Sequence, residues 1–137
     1  MRMVKQRATT DGTTAMDCGV CTIAILTDLP YEKILVDMPN YRAVNDHDWM
    51  RYLNLLGFEV VQVDNNNPPM GLQLYCGVTA LLNGATIDHA VAVDEEGRIF
   101  DPANGVPEPG KHTLQKCVEF GTFKVRCCFT VRDRRLM

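Results

Sequence analysis

Apolar and polar positions along the chain follow a helical spacing in the first half and a strand-like spacing in the second half. Residues 4–15 are polar and rich in Thr and Gly, which predicts an extended loop. The apolar run that follows predicts a first helix over residues 18–28, because Leu29-Pro30 blocks its continuation. Pro30 then favours the start of a second short helix that reaches Val36.

A third helix is predicted over residues 46–56. Asn45 is a favourable N-cap residue, and Gly57 is suited to the C-terminal end. The apolar side chains of this segment recur at i, i+4 and i+7, so they share one helix face. They are Trp49, Leu53 and Leu56. This helix is therefore predicted to pack on the core.

The second half of the chain consists of β-branched and alternating segments separated by turn residues. The predicted strands cover residues 58–63, 72–82, 88–94, 98–102, 114–120 and 122–132. The turn Glu95-Glu96-Gly97 joins the strand that starts near His89 to its hairpin partner. Helices followed by a run of antiparallel strands predict an α+β fold in which N-terminal helices pack on an antiparallel sheet. We expect one domain over residues 1–137.

Charge and composition exclude several classes of protein. The net charge is −3, and the basic residues cluster only at the C-terminus, in Arg132, Arg134 and Arg135, so nucleic acid is not expected as the main partner. No stretch approaches the roughly 20 apolar residues of a membrane span. Residues 1–7 lack the apolar core of a signal peptide, which predicts a cytoplasmic protein without membrane association.

The six cysteines are expected to be thiols, because a chain without a signal peptide does not reach an oxidising compartment. Cys18-x-x-Cys21 alone would fit half of a zinc site or a redox motif. A second Cys-x-x-Cys or a His pair at ligand spacing is missing, and Cys127 and Cys128 would point to opposite faces of a strand. No strand of the redox type precedes Cys18, so no metal or cofactor is expected.

Cys18 stands where the polar loop meets the first helix. Asp17 is a natural N-cap residue, and a thiol in the first helical turn lies at the positive end of the helix dipole, which favours the thiolate. This position is typical of a nucleophilic cysteine. The alternative interpretation is a small buried apolar side chain, which is the commonest fate of an intracellular cysteine. Cys21 is expected in the core, unless the helix begins later and the two cysteines exchange roles.

The chain contains three short motifs that follow one another in this order: Asp17-Cys18-Gly19, His89-Ala90-Val91 and Asp101-Pro102. They resemble the motifs of papain-like cysteine peptidases, in particular the bacteriocin-processing (C39-like) branch and its small bacterial and phage relatives. The resemblance covers residues 4 to 105 or so and implies a papain-like fold, with the cysteine on a helix and the histidine on the sheet. It implies a catalytic triad in which Cys18 is the nucleophile, His89 the base and Asp101 the residue that orients the imidazole.

The oxyanion donor departs from this pattern. Papain-like enzymes usually have a Gln about six residues before the cysteine, and Gly12 occupies that position here. Gln6 lies further upstream and would reach the site if residues 7–14 bulge out, with the backbone N–H of Cys18 as the second donor.

Other polar residues have simpler explanations. Asp88 is adjacent to His89 and should face the opposite side of the strand. His47 and His112 are expected in solvent.

The function implied by the resemblance is cleavage of a peptide, isopeptide or related amide bond in a peptide or protein substrate, through an acyl-enzyme at Cys18. Two alternatives stay open. The same triad fits an acyltransferase or deamidase effector that modifies a partner protein. The displaced Gln favours a catalytically degenerate binding module on the same scaffold, whereas the intact Cys, His and Asp oppose it.

Overall fold

The computed structural model describes residues 1–4, 17–38, 46–67, 69, 71–82, 85–102 and 123–136. These residues form an α+β structure, as predicted. The helices are α1 (Cys18–Thr27), α2 (Tyr31–Asp37) and α3 (Asp46–Leu55). The strands are β1 (Phe58–Val63), β2 (Leu74–Leu82), β3 (Ala85–Val93), β4 (Ile99–Phe100) and β5 (Phe123–Asp133). A short 3₁₀ turn, Arg134–Leu136, follows β5.

Helix α1 is buried along most of its length. It ends one residue before the predicted boundary, where Asp28 adopts a left-handed conformation (φ 60°) and its N–H donates to the carbonyl oxygen of Ala24. Every residue from Gly19 to Leu26 is buried, so all sides of this segment are covered. A helix that is apolar all round lies inside the core, and α1 is such a helix.

Helix α3 packs on the sheet through an aromatic cluster. The Trp49 and Leu53 side chains are inaccessible to solvent, which confirms the predicted core face. The Trp49 ring stacks on Tyr75 of β2, with 4.2 Å between the ring centroids, and meets Phe129 of β5 edge-on at 5.0 Å. Gly57 follows the helix with a positive φ of 96°, as its predicted place at the helix end requires. The predicted N-cap residue, Asn45, lies outside the described residues.

The five described strands form one antiparallel sheet in the order β1-β5-β2-β3-β4. Strand β1 has the predicted bounds, and β2 begins two residues later than predicted. The last strand of the chain, β5, inserts between β1 and β2, and its predicted hairpin partner over residues 114–120 lies outside the described residues. The sheet centre is therefore built from segments far apart in sequence.

The β3–β4 hairpin holds two of the predicted site residues. His89 lies in the middle of β3, opposite Val78 of β2, and not at the start of the strand as predicted, because the ladder with β2 extends β3 back to Ala85. The Asp94 carboxylate closes the turn by accepting hydrogen bonds from the backbone N–H groups of Glu96 and Arg98. Asp101 directly follows β4.

Side chains of the sheet alternate between two apolar clusters. One cluster joins the sheet to the helices and includes Tyr75, Ala90, Ala92 and Phe129. The second cluster contains the intervening positions Leu74, Cys76, Val78, Val91, Val93, Ile99 and Cys128. Both sides of the central strands are therefore buried. None of the helices in the described ranges has the length and apolar character needed to cross a membrane.

Candidate active site

Cys18 is the first residue of α1, and its side chain is only partly buried. The N–H of Cys21 donates to the backbone oxygen of Asp17, which is the first hydrogen bond of the helix. The helix thus begins where the sequence predicts, and the thiol of Cys18 lies at its positive end. Cys21 is fully buried in the core, so the structure does not support the exchange of roles between the two cysteines.

Asp17 does not cap α1 through its side chain, contrary to the prediction. Its carboxylate is buried, and Oδ2 accepts a hydrogen bond from the hydroxyl of Tyr31 at 2.5 Å. Tyr31 is the first residue of α2 and was not predicted as part of the site, because only the packing of α2 on α1 brings it to Asp17. This contact fixes the position of the residue that precedes Cys18.

Replacing Tyr31 with phenylalanine removes only the hydroxyl that donates to Asp17. We expect the free energy of unfolding to fall by about 1–3 kcal/mol, because the buried carboxylate loses a hydrogen bond that water cannot replace. Urea denaturation followed by tryptophan fluorescence measures this change. Tyr52→Phe is the matched control, since the Tyr52 hydroxyl donates to the exposed carboxylate of Asp37, and it should change stability little. Equal effects of the two variants would contradict the assignment.

His89 and Asp101 form a buried pair. His89 Nε2 lies 2.6 Å from Asp101 Oδ1, and both side chains are over nine-tenths buried. The register explains the contact: Ala92 pairs with Phe100, so Asp101 falls opposite Val91 and diagonal to His89. Diagonal neighbours across an antiparallel pair lie within reach of an imidazole and a carboxylate.

The thiol of Cys18 completes the arrangement. The Cys18 side chain hydrogen-bonds His89, and since Nε2 contacts Asp101, Nδ1 is the ring nitrogen left for the sulfur. The structure therefore brings together three of the four predicted site residues, which come from the start of α1, the middle of β3 and the end of β4. The imidazole lies between the sulfur and the carboxylate.

Two opposing effects determine the charge on His89. Burial lowers the pKa of His89, but the hydrogen bonds that the ring makes with Asp101 and Cys18, together with the negative charges of these groups, raise the pKa more, to about 9. The ring is therefore an imidazolium at neutral pH. An imidazolium stabilises a neighbouring thiolate, and the neighbouring carboxylate stabilises the imidazolium.

No protein-family model, curated protein or solved structure matches this chain. The resemblance to papain-like peptidases accordingly stays a prediction from three motifs.

The remaining predicted positions are only partly described. Gln6, Gly12 and His112 lie outside the described residues. Asp88 points into solvent and pairs with Arg126 at 3.5 Å, so it is turned away from the imidazole as predicted. His47 is exposed on α3, also as predicted. Within the described ranges, no group of three or more His, Cys, Asp or Glu side chains is placed to hold a metal ion.

Proposed function

We propose that this protein is a papain-like thiol hydrolase, which cleaves a peptide, isopeptide or related amide bond through an acyl-enzyme at Cys18. The observation that carries the proposal is the buried imidazole of His89, which contacts the carboxylate of Asp101 on one side and the thiol of Cys18 on the other. A histidine that served only a structural role would need a hydrogen-bond partner such as Asp101, but it would not need a thiol from a helix N-terminus as well. A nucleophile, an acid–base group and an orienting group are the three parts that covalent amide cleavage requires.

The reaction follows from the positions of these groups. The thiolate of Cys18 attacks the carbonyl carbon of the amide, and the negative charge moves to the carbonyl oxygen. The imidazolium of His89 then donates its proton to the leaving nitrogen, which departs as an amine while the acyl group stays on sulfur as a thioester. Water, deprotonated by His89, attacks the thioester and releases a carboxylic acid and the thiol. Asp101 holds the ring in orientation throughout.

Among the described residues, the backbone N–H of Cys18 is suited to donate a hydrogen bond to the oxyanion. The backbone N–H of Cys18 lies at the start of α1, where helix N–H groups have no partner within the helix and the helix dipole is positive. We assign the second donor to the side-chain amide of Gln6. Loss of one such donor typically costs 100-fold or more in rate, on the order of 3 kcal/mol.

The proposal is tested with an activated ester that needs no specific recognition, such as p-nitrophenyl acetate. We expect a burst of p-nitrophenolate and an acetyl group on Cys18, detected by mass spectrometry of the intact protein and its peptides. The acetyl group should be absent from Cys18→Ala and retained in Cys127→Ala, a variant of the other partly exposed cysteine among the described residues. Acetylation spread equally over both cysteines, or no acetylation, would contradict the proposal and leave the binding module as the explanation.

The leaving group and the acceptor of the acyl group together distinguish peptide hydrolysis from the alternative activities. A peptide library exposed to the wild-type protein should yield new carboxyl termini if peptide bonds are hydrolysed. Release of ammonia without new termini would instead identify a side-chain deamidase, and a new amide linkage would identify an acyltransferase. Cys18→Ala is the control for all three readouts.

A further inference from the structure

A second pair of cysteines lies at the centre of the sheet, away from Cys18. Cys76 of β2 and Cys128 of β5 are directly opposite each other in the antiparallel register. Their sulfur atoms are 3.6 Å apart, and both side chains are inaccessible to solvent in the second apolar cluster. Neither cysteine takes part in the chemistry proposed for His89.

The backbone geometry at this position suits a disulfide bond. Directly opposite residues of an antiparallel pair have Cα atoms about 4.5–5.5 Å apart, which lies inside the range of about 4.4–6.8 Å found for disulfides. The two sulfurs need to approach by about 1.5 Å to reach a bond length of about 2.05 Å. Rotation about the side-chain torsions of two facing cysteines supplies a movement of this size without a change of register.

The neighbouring Cys127 is placed differently. It follows Arg126 on the same strand and faces the opposite side from Cys128, as alternation requires. Its sulfur packs against the backbone at Gly77, where a Cβ atom would lie only 2.7 Å away. Cys127 is therefore an internal comparison, adjacent in sequence but facing away from Cys76.

We propose that Cys76 and Cys128 are a disulfide-forming pair, which a peroxide-type oxidant converts into a covalent link between the two strands β2 and β5. The hydrogen bond between the two thiols holds the pKa of Cys128 below its usual value and raises that of Cys76, which makes Cys128 the first nucleophile. The sulfur of Cys128 attacks the peroxide, releases one water and becomes a sulfenic acid. The thiol of Cys76 then attacks this sulfur, and a second water leaves. Two thiols and one hydrogen peroxide thus give one disulfide and two waters.

The link has a structural consequence. Cys76 and Cys128 are 52 residues apart in the chain, so the bond closes a long loop and restricts the unfolded ensemble. It joins the strand that borders β3 to the strand that borders β1. Oxidation should therefore raise the unfolding temperature of the whole sheet, and reduction should reverse the change.

The experiment begins with the full chain carrying Cys18→Ala, so that its outcome does not depend on the proposed hydrolase activity. The protein is treated with hydrogen peroxide, the excess is removed with catalase, and remaining thiols are alkylated after denaturation. Trypsin places Cys76 alone in the peptide of residues 52–98 and places Cys127 and Cys128 together in residues 127–132. We expect these two peptides to be linked, with a loss of two hydrogen atoms relative to the reduced pair. A parallel sample refolded under peroxide gives the oxidant access to the buried sulfurs.

Matched variants show whether Cys127 or Cys128 supplies the sulfur that is linked to Cys76. The linked peptides should persist in Cys127→Ala and disappear in Cys128→Ala, and the unfolding temperature should rise on oxidation only where they form. Peptide fragmentation of the unsubstituted pair gives the same assignment if Cys128→Ala does not fold. Recovery of Cys76 and Cys128 as alkylated thiols in both samples, or a link that requires Cys127, would overturn the proposal.

Discussion

Replacing Asp101 with asparagine should lower the pKa of His89 from about 9 towards or below its ordinary value of 6.5. The substitution keeps the size of the side chain and an oxygen that can face Nε2, but it removes the negative charge 2.6 Å from the ring. Burial, which lowers the pKa of His89, is unchanged, and only the interaction with Cys18 then raises this pKa. Titration of the His89 ring protons by NMR measures the pKa directly. Asp88→Asn is the matched control, because Asp88 is adjacent in sequence and exposed, and the pKa of His89 should not change.

The same substitution should alter how stability depends on pH. In the folded wild type, the pKa of His89 is raised from 6.5 to about 9, so the bound proton contributes stability that is fully present below pH 6.5 and is lost as the pH rises through 9. The shift corresponds to roughly 3 kcal/mol. The free energy of unfolding of Asp101→Asn should therefore fall less than that of the wild type between pH 6.5 and 9. Parallel curves for the two proteins would contradict the charge assigned to His89.

Replacing Trp49 with alanine should cause the largest loss of stability of the substitutions considered, about 3–5 kcal/mol. The indole is inaccessible to solvent and contacts the rings of Tyr75 and Phe129, which belong to two different strands. The substitution leaves a cavity between α3 and the sheet and removes both aromatic contacts. Chemical denaturation followed by circular dichroism measures the loss.

The control for this prediction lies on the same helix. Leu55 is 78% exposed, so Leu55→Ala should change the free energy of unfolding by no more than about 0.5 kcal/mol. The two variants share a helix and differ in burial. Comparable losses for the two would show that α3 is not anchored to the sheet through Trp49.

Local patterns in the sequence were sufficient to predict the bounds of the helices and of β1 to within a residue or two. The breaks at Pro30 and Gly57 predicted element ends to within a residue or two, because these residues restrict or permit particular backbone torsions. The pattern did not predict the start of β3, since residues 85–87 are drawn into the strand by pairing with β2. Nor did it predict the place of β5 between β1 and β2, because strand order depends on contacts between distant segments.

The candidate site also has features that local sequence predicts and one feature that depends on contacts between distant segments. The change from polar to apolar residues marks the start of α1, so the position of Cys18 at a helix N-terminus could be predicted locally. The pairing of His89 with Asp101 could be predicted from one hairpin. The role of the Asp17 carboxylate could not be predicted locally, because a capping bond within one helical turn was the simplest prediction. Its actual partner, Tyr31, lies on another helix.

Thiol alkylation tests the central claim, the pairing of Cys18 with His89, most directly. Wild type and His89→Ala are treated briefly with iodoacetamide near pH 6, and labelled positions are quantified by peptide mapping. An ordinary cysteine with a pKa of about 8.5 is less than about 1% thiolate at this pH, whereas a thiolate paired with an imidazolium reacts readily. Cys127 is the control within the same molecule, because it is also partly exposed. The account predicts rapid labelling confined to Cys18 and a decrease of roughly 100-fold in His89→Ala. Slow labelling of Cys18 and Cys127 at similar rates, unchanged in His89→Ala, would contradict it.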